Sequence, residues 1–366
     1  MSSTETNIKR EATWLTKDKR PIVIAGPCSA ETEEQVIESA KRLKATGKMD
    51  IFRAGIWKPR TRPNSFEGVG VQGLPWMQRV KQEVGLATTV EVATAKHVEL
   101  CLAFGIDILW VGARTTVNPF AVQEIADALK GVNIPILVKN PINPDLALWM
   151  GAVERLQKSD LKEVGVIHRG FSNLGETYYR NRPQWQIALE FMRLNPEIPI
   201  ICDPSHICGR RDILQEVGQK AMDLDYDGLM IESHIDPDNA WSDAKQQITP
   251  EVFGSMIKEM VLREDYEDNV QLQSKLEYLR REIDHIDDEL INLLSNRMKV
   301  ARDIGEYKKL NNMTILQQKR WNDILEKSKS VAEKNNLSTD FVIKFINAIH
   351  QESINQQENI FKSEKK

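Results

Sequence analysis

Cysteine is scarce. Four occur in 366 residues, at positions 28, 101, 202 and 208, with no regular spacing. A disulfide framework is therefore not expected, and a reducing cytoplasm is. Long apolar runs are lacking too: none approaches the roughly 20 residues that a membrane-spanning helix needs, and MSSTETNIKR has no apolar core of the kind a signal peptide carries. Neither sign of charge dominates. Lys and Arg number 49 against 53 Asp and Glu, and the net charge of -4 gives no bulk attraction to nucleic acid or an anionic membrane. What remains is an ordinary globular composition, 41% apolar, and enough length for a large domain plus a small one.

The first 260 or so residues repeat one pattern. Eight short apolar runs, PIVIAG, IFRAG, TTVEV, ILWVG, PILVKN, GVIHRG, PIICDP and DGLMIES, alternate with stretches of helical spacing such as ETEEQVIESAKRLKATG and NPFAVQEIADALKG. Nearly continuous apolar strands between amphipathic helices predict a parallel sheet covered on both faces. Eight such units in about 250 residues is the size of a (β/α)8 TIM barrel, with a doubly wound open sheet as the competing arrangement.

In a barrel of this kind the active site lies at the C-terminal ends of the strands. Those ends read GPCS, RAGIWKPRTRP, EVAT, GARTT, VKNP, HRG, DPSH and ESH, the last followed by IDPDNAWSD. Two groups emerge. Cys28, His206 and Glu232 fall at the ends of strands one, seven and eight, which are neighbours in a closed barrel, with Asp243 on the loop just beyond, and a thiolate, an imidazole and two carboxylates suit a divalent transition metal. Taken singly, each is more often packing or a satisfied turn residue; their adjacency favours the metal. Mn2+ is the first choice, with Fe2+, Co2+ and Zn2+ as alternatives, and no organic cofactor is expected. The second group is Arg53, Lys58, Arg60, Arg114, Lys139 and Arg169. Six cations around one mouth repel one another unless anions sit among them, so small substrates carrying at least two anionic groups are expected.

The motifs AGPCS, KPRT, GAR, VK, HRG, DPSH and the ES…SD spacing, over about residues 20 to 260, resemble the 3-deoxy-D-arabino-heptulosonate 7-phosphate (DAHP) synthases, in the branch close to the octulosonate 8-phosphate synthases. The resemblance implies condensation of phosphoenolpyruvate with erythrose 4-phosphate. It places Cys28, His206, Glu232 and Asp243 as metal ligands. Arg53, Lys58, Arg114, Lys139 and Arg169 would hold phosphoenolpyruvate, Arg60 and Thr61 the sugar phosphate, and Asp203 would lie near its hydroxyls. Lys58 is the first choice for proton transfer, because it would lie between both substrates. The pattern is departed from at two places: Asn140-Pro141 stand where many relatives have a Gly soon after the Lys, and Trp57 replaces the usual Phe. An octulosonate 8-phosphate synthase-like barrel with a silent helical dimerisation or regulatory module is the alternative, although those relatives generally show Lys-Ala-Asn-Arg where this chain has Lys-Pro-Arg-Thr.

After residue 262 the texture changes. LREDYEDNV is charged and free of Gly and Pro, and the next 40 residues contain no Pro and one Gly. Leu276, Leu279, Ile283, Ile286, Leu290, Leu293, Arg297 and Val300 recur in steps of three and four, predicting one long helix with a coiled-coil-like face. Two further helices are expected near 316–335 and 339–359, with Ser338 or Thr339 as a cap. Expected boundaries are an N-terminal extension at 1–20, a barrel at 21–262, a linker at 263–270 and a small all-α domain at 271–366. Arg297 and Lys308 lie eleven residues apart, about three turns, so they share a face; Arg280 lies about 25 Å before Arg297 and can serve the same site only from a second chain.

From about Leu279 to Gln357 the tail resembles the all-helical chorismate mutases, which are intertwined dimers. The resemblance places Arg280, Arg297, Lys308, Arg320, Ser353 and Gln357 on binding positions for chorismate. Arg297, Lys308 and Gln357 are taken as catalytic, the last two approaching the ether oxygen where charge develops. Gln317 and Trp321 stand where relatives often have acids near the ring hydroxyl, which implies an altered or weaker site. Expected partners are therefore phosphoenolpyruvate, erythrose 4-phosphate, chorismate and a second copy of the chain through the helical domain. With only about 20 residues before strand one and no long insertion in the barrel, control by prephenate through the helical domain is expected.

Overall fold

The structure is a computed structural model and describes residues 13–16, 19–58, 66–175, 177–263 and 270–362. It divides into two compact units, residues 1–266 and 267–366. In the first, eight strands, β1 (Ile22–Gly26), β2 (Ile51–Arg53), β3 (Ala87–Val92), β4 (Ile108–Val111), β5 (Ile136–Lys139), β6 (Val164–His168), β7 (Ile200–Cys202) and β8 (Gly228–Glu232), close into a barrel in sequence order. Every neighbouring pair is parallel, β8 with β1 included. The open-sheet alternative is thereby set aside. Around them lie helices α1 (Glu33–Ala45), α2 (Gly73–Arg79), α3 (Ala95–Ala103), α4 (Ala113–Thr116), α5 (Pro119–Ala128), α6 (Leu146–Gln157), α7 (Trp185–Leu194), α8 (Pro204–Cys208), α9 (Leu214–Asp223) and α10 (Pro250–Glu259).

Alternation along the strands builds the site. Side chains one residue apart point to opposite faces. Ile22, Ile24, Ile51, Ile108, Trp110, Leu137, Ile167, Ile201 and Met230 cluster inside the barrel, while Val23, Phe52, Val138 and Val166 join the shell between sheet and helices. Two residues beyond Ile51, Leu137, Ile201 and Met230 stand Arg53, Lys139, Asp203 and Glu232. The same inward face that is apolar in mid-barrel thus becomes charged at the mouth. At the opposite end Trp14 and Leu15 pack on the interior cluster, and Trp14 Nε1 donates to the Val164 carbonyl at 3.1 Å.

Gly26 permits the turn into Cys28. Its φ of +148° and its distance to β2 leave no room for a side chain: a Cβ there would lie 2.0 Å from the Arg53 carbonyl oxygen.

Outside the barrel, on β6, the His168 ring lies among Trp149, Phe171, Trp185 and Tyr226. Its Nε2 donates to the Pro183 carbonyl at 2.6 Å, so Nδ1 accepts from the Tyr226 hydroxyl at 2.8 Å. Burial pulls this imidazole down to about 4. The unfolded chain takes up the proton near 6.5 and the folded one only near 4, so His168 removes stability as pH falls through that window. The full effect is on the order of 3 kcal/mol. Urea unfolding at pH 7 and pH 4.5 is expected to show a smaller acid loss in His168→Phe than in the wild type; equal losses would remove His168 as the cause.

The second unit is helical: α11 (Val270–Leu310), α12 (Gln318–Lys334) and α13 (Thr339–Lys362). α11 and α12 both pack against α13. Ser338 Oγ accepts the Phe341 backbone N–H at 3.1 Å, the capping expected from the sequence.

Candidate functional site

At the barrel mouth Cys28 follows β1 and is fully buried. Its Sγ lies 2.9 Å from Lys58 Nζ and 3.2 Å from Asp243 Oδ2, to which the thiol donates. Burial pushes this thiol up to about 12, and the Glu232 and Asp243 carboxylates add to the effect against Lys58. Arg53 Nη2 donates to the Cys28 carbonyl at 3.2 Å and stands 3.4 Å from Glu232 Oε1. The guanidinium also lies over the Trp110 ring, 5.0 Å from its centroid.

His206 sits on α8, where Asp203 caps the turn by accepting the His206 backbone N–H at 3.1 Å. The imidazole lies 3.7 Å from Glu232 Oε1 through Nε2. On its other side Nδ1 is 2.8 Å from Asp203 Oδ2. Burial pulls His206 below its usual value, with Asp203 opposing. Burial works against the charge on Glu232, but His206, Arg53 and Lys58 together hold the carboxyl below its ordinary range. Asp243 is likewise held low against burial by Arg180 first, then Lys58. The barrel has therefore drawn all four expected ligands to one place. They stand in two pairs, Cys28 with Asp243 and His206 with Glu232, and among the described residues no three such side chains form a ready coordination shell.

The anion-binding residues are partly in the same ring. Lys139 Nζ donates to Asp203 Oδ2 at 2.8 Å and lies 5.8 Å from the Trp110 centroid. Arg169 is buried beyond β6. Its conformation is set by Asn140, whose Oδ1 accepts the Arg169 backbone N–H at 2.7 Å while Nδ2 donates to the Gly170 carbonyl at 2.8 Å. The departure from the usual Gly thus fastens the HRG corner. Trp57, the other departure, stacks on His97 with centroids 4.0 Å apart. Arg114 is exposed on α4, and its charge acts on Arg169. Arg60 and Thr61 lie outside the described residues.

Sequence reasoning missed Arg180, Gln246 and Gln247. Arg180 Nη1 donates to Asp243 Oδ1 at 3.0 Å and to Gln246 Oε1 at 2.5 Å, and Gln246 Nε2 donates to Glu232 Oε2 at 2.6 Å. None stands at a strand end, and only the folding back of two loops brings them in.

In the helical unit a cavity of about 360 Å³ lies among Arg297, Lys308, Gln317, Arg320, Trp321, Ser353 and Gln357. Arg297 donates to the Ser353 hydroxyl, and Lys308 Nζ to Gln357 Oε1 at 3.2 Å. Burial lowers the Lys308 ammonium. Trp321 stacks on His350, centroids 3.9 Å apart, and His350 Nε2 is buried without a partner. His350 lines the same cavity and carried no signal in the sequence. Arg280 is exposed on α11 and is not among the lining residues.

Against family models, residues 5–266 match the DAHP synthetase I family. The chain belongs to that family. Residues 279–358 match chorismate mutase type II. A DAHP synthase domain is thus followed by a chorismate mutase domain in one bifunctional enzyme of the shikimate pathway. The phospho-2-dehydro-3-deoxyheptonate aldolase of Thermotoga maritima is 30% identical over 238 residues, 65% of this chain and 68% of that protein. The 2-dehydro-3-deoxyphosphooctonate aldolase of Legionella pneumophila is 27% identical, over 62% of this chain and 85% of its own length. A crystal structure of the Thermotoga maritima DAHP synthase superposes with a TM-score of 0.58 at 28% identity, covering 65% of this chain and 67% of that one. Among the described residues no helix is long and apolar enough to cross a membrane.

Proposed function

We propose that the DAHP synthase domain acts with a divalent metal held by Cys28, His206, Glu232 and Asp243, and that Arg53, Lys58, Arg114, Lys139 and Arg169 hold phosphoenolpyruvate. The observation that carries this reading is the set of unspent polar atoms at the mouth. Arg53 Nε and Nη1 and Glu232 Oε1 are all buried without a hydrogen-bond partner. Such groups are costly to leave unmet, about 1–3 kcal/mol each. They are a donor set and an acceptor set, side by side, that an anion and a cation would satisfy. The mixed sulfur, nitrogen and oxygen ligands fit Mn2+, Fe2+, Co2+ or Zn2+, with Mn2+ our first choice.

When bound, the metal would draw charge from the aldehyde oxygen of erythrose 4-phosphate. Arg53, with its Nε and Nη1 nitrogens unpartnered against the Trp110 face, presents a fork matched to phosphate or carboxylate. Lys58 reaches the same point from β2 and is the group we assign to proton transfer at the developing hydroxyl. Arg60 and Thr61 are assigned to the sugar phosphate, and Asp203 to its hydroxyls. Attack by the methylene carbon, addition of water at the enol carbon and departure of phosphate complete the reaction. Supplying phosphoenolpyruvate with each of several aldose phosphates and Mn2+ tests it: consumption is expected with erythrose 4-phosphate, and turnover only with arabinose 5-phosphate would favour the octulosonate reading.

In the mutase domain we assign Arg297, Arg320 and, from a second chain, Arg280 to the carboxylates of chorismate. Ser353 assists, and Lys308 and Gln357 face the ether oxygen. A homodimer in the cytoplasm is the proposed working form. Prephenate, the mutase product, is the proposed feedback inhibitor. A ligand at the helical unit can inhibit the barrel only by favouring an arrangement in which the barrel is less competent. Titrating prephenate against the full chain, a chain truncated after Leu262 and Arg297→Ala is expected to inhibit DAHP formation in the first alone. Equal inhibition in all three would mean competition at the barrel mouth.

A further inference from the structure

Glu31 and His234 are buried, 6% and 4% exposed, and take no part in the chemistry assigned above. His234 Nδ1 accepts the Asp236 backbone N–H at 2.9 Å, so the ring proton sits on Nε2 and points to Glu31 Oε2 at 3.3 Å. The other carboxylate oxygen, Oε1, accepts the Trp241 backbone N–H at 2.7 Å. One side chain after β1 therefore grips both ends of the segment 234–241 after β8.

The next residues continue the seam. Ser242 Oγ meets Ser29 Oγ, and the Ser242 carbonyl accepts from Gln247 Nε2 at 2.8 Å. Gln247 Oε1 in turn accepts the Cys28 backbone N–H at 2.8 Å. The two loops joined in this way carry Cys28 and Asp243. Asp243 has φ 47° and ψ 36°, a left-handed conformation that a residue other than glycine keeps where its neighbours hold it. Trp241, whose N–H is the one held by Glu31, also sets its ring edge-on to Phe66, centroids 5.2 Å apart.

We infer that Glu31, braced by His234, is a positioning residue that fixes the loop presenting Asp243, so that affinity for the metal depends on it. This rests on the metal reading above. A carboxylate alone serves here, because it must accept two N–H groups at once. Glu31→Gln keeps the shape but turns a donor toward one of them.

The experiment is calorimetric titration of metal-free protein with Mn2+, beside phosphoenolpyruvate consumption over a range of Mn2+ concentrations. Glu31→Gln is expected to weaken Mn2+ binding roughly ten- to a hundredfold, the range for groups that orient a ligand. Turnover at saturating Mn2+ should stay within about twofold of wild type, as a positioning role implies. His234→Ala, which releases the brace and leaves Glu31 in place, is expected to weaken binding in the same direction. Absence of Mn2+ binding by the wild type would overturn the metal reading itself. Wild-type affinity in Glu31→Gln, or turnover lost at saturating Mn2+ with affinity unchanged, would overturn the inference alone. Should Glu31→Gln fail to fold, unchanged affinity in His234→Ala decides against it.

Discussion

Chelation is expected to abolish DAHP formation, and Cys28→Ala is expected to remain at least ~100-fold impaired at metal concentrations that restore the chelated wild type. Losing a ligand outweighs the 10–100-fold typical of losing a group that merely orients one. The thiol is buried, its proton held by burial and two neighbouring carboxylates until a cation is present to exchange for it. Alanine removes both the sulfur bond and the negative charge that replaces the proton. It also leaves Lys58 Nζ without its nearest sulfur neighbour at 2.9 Å, free to turn toward Asp243 and compete with the ion. Elemental analysis beside the phosphoenolpyruvate assay checks both parts. Undiminished turnover in chelator-treated protein shown to contain no metal would mean that Cys28, His206, Glu232 and Asp243 meet for another reason.

The barrel was legible because its eight short, nearly continuous apolar runs alternate with amphipathic helices, and its mouth because side chains along a strand alternate between two faces. Ile51 and Arg53, or Met230 and Glu232, share a face whether that face is packing or chemistry, so a charged residue at an inward position of a strand end declares itself. The loops carry no such rule. Arg180 reaches Asp243 from a segment whose path is set by Gly209, where a Cβ would lie 2.4 Å from Arg180 Cβ, and by the left-handed Asp243 itself. Glu31 and His234 stand next to recognised motifs, yet their pairing depends on where the segment after Ser233 turns back. Asn140 was visible as a departure from the family pattern, while its grip on Arg169 became visible only with the β5 and β6 corners side by side. The helical unit divides in the same way. Arg297, Lys308, Ser353 and Gln357 lie on regular helical spacing that a sequence displays, whereas the Trp321–His350 stack joins residues of α12 and α13 through a contact no periodicity encodes.

Arg280→Ala and Arg297→Ala variants of the mutase domain are each expected to lose chorismate turnover, and to recover part of it when the two are mixed and allowed to exchange subunits. α11 is continuous from Val270 to Leu310, so these arginines, seventeen positions apart, are separated by about 25 Å along one axis. That exceeds any contact a single small dianion makes. Arg297 lines the cavity and Arg280 stands exposed, one turn after Leu276 and one before Asp284. Around Arg280 the helix shows Leu276, Leu279, Ile283 and Ile286, each between 47% and 59% exposed, a row of apolar residues that a second α11 would cover. In an antiparallel pair the Arg280 end of one helix falls opposite the Arg297 end of the other. A mixed dimer then holds one site with both arginines and one with neither. Random exchange makes half of the dimers mixed, so recovery is expected to approach about a quarter of wild-type turnover. Each variant alone should lose at least ~100-fold, since a buried carboxylate left without its guanidinium forfeits a charge-assisted pair worth about 3 kcal/mol. Mass spectrometry of tagged chains establishes that exchange has occurred. If mixed dimers form and chorismate consumption stays at the level of the separate variants, Arg280 belongs to no shared site, and the cavity must bind its ligand with the groups of one chain.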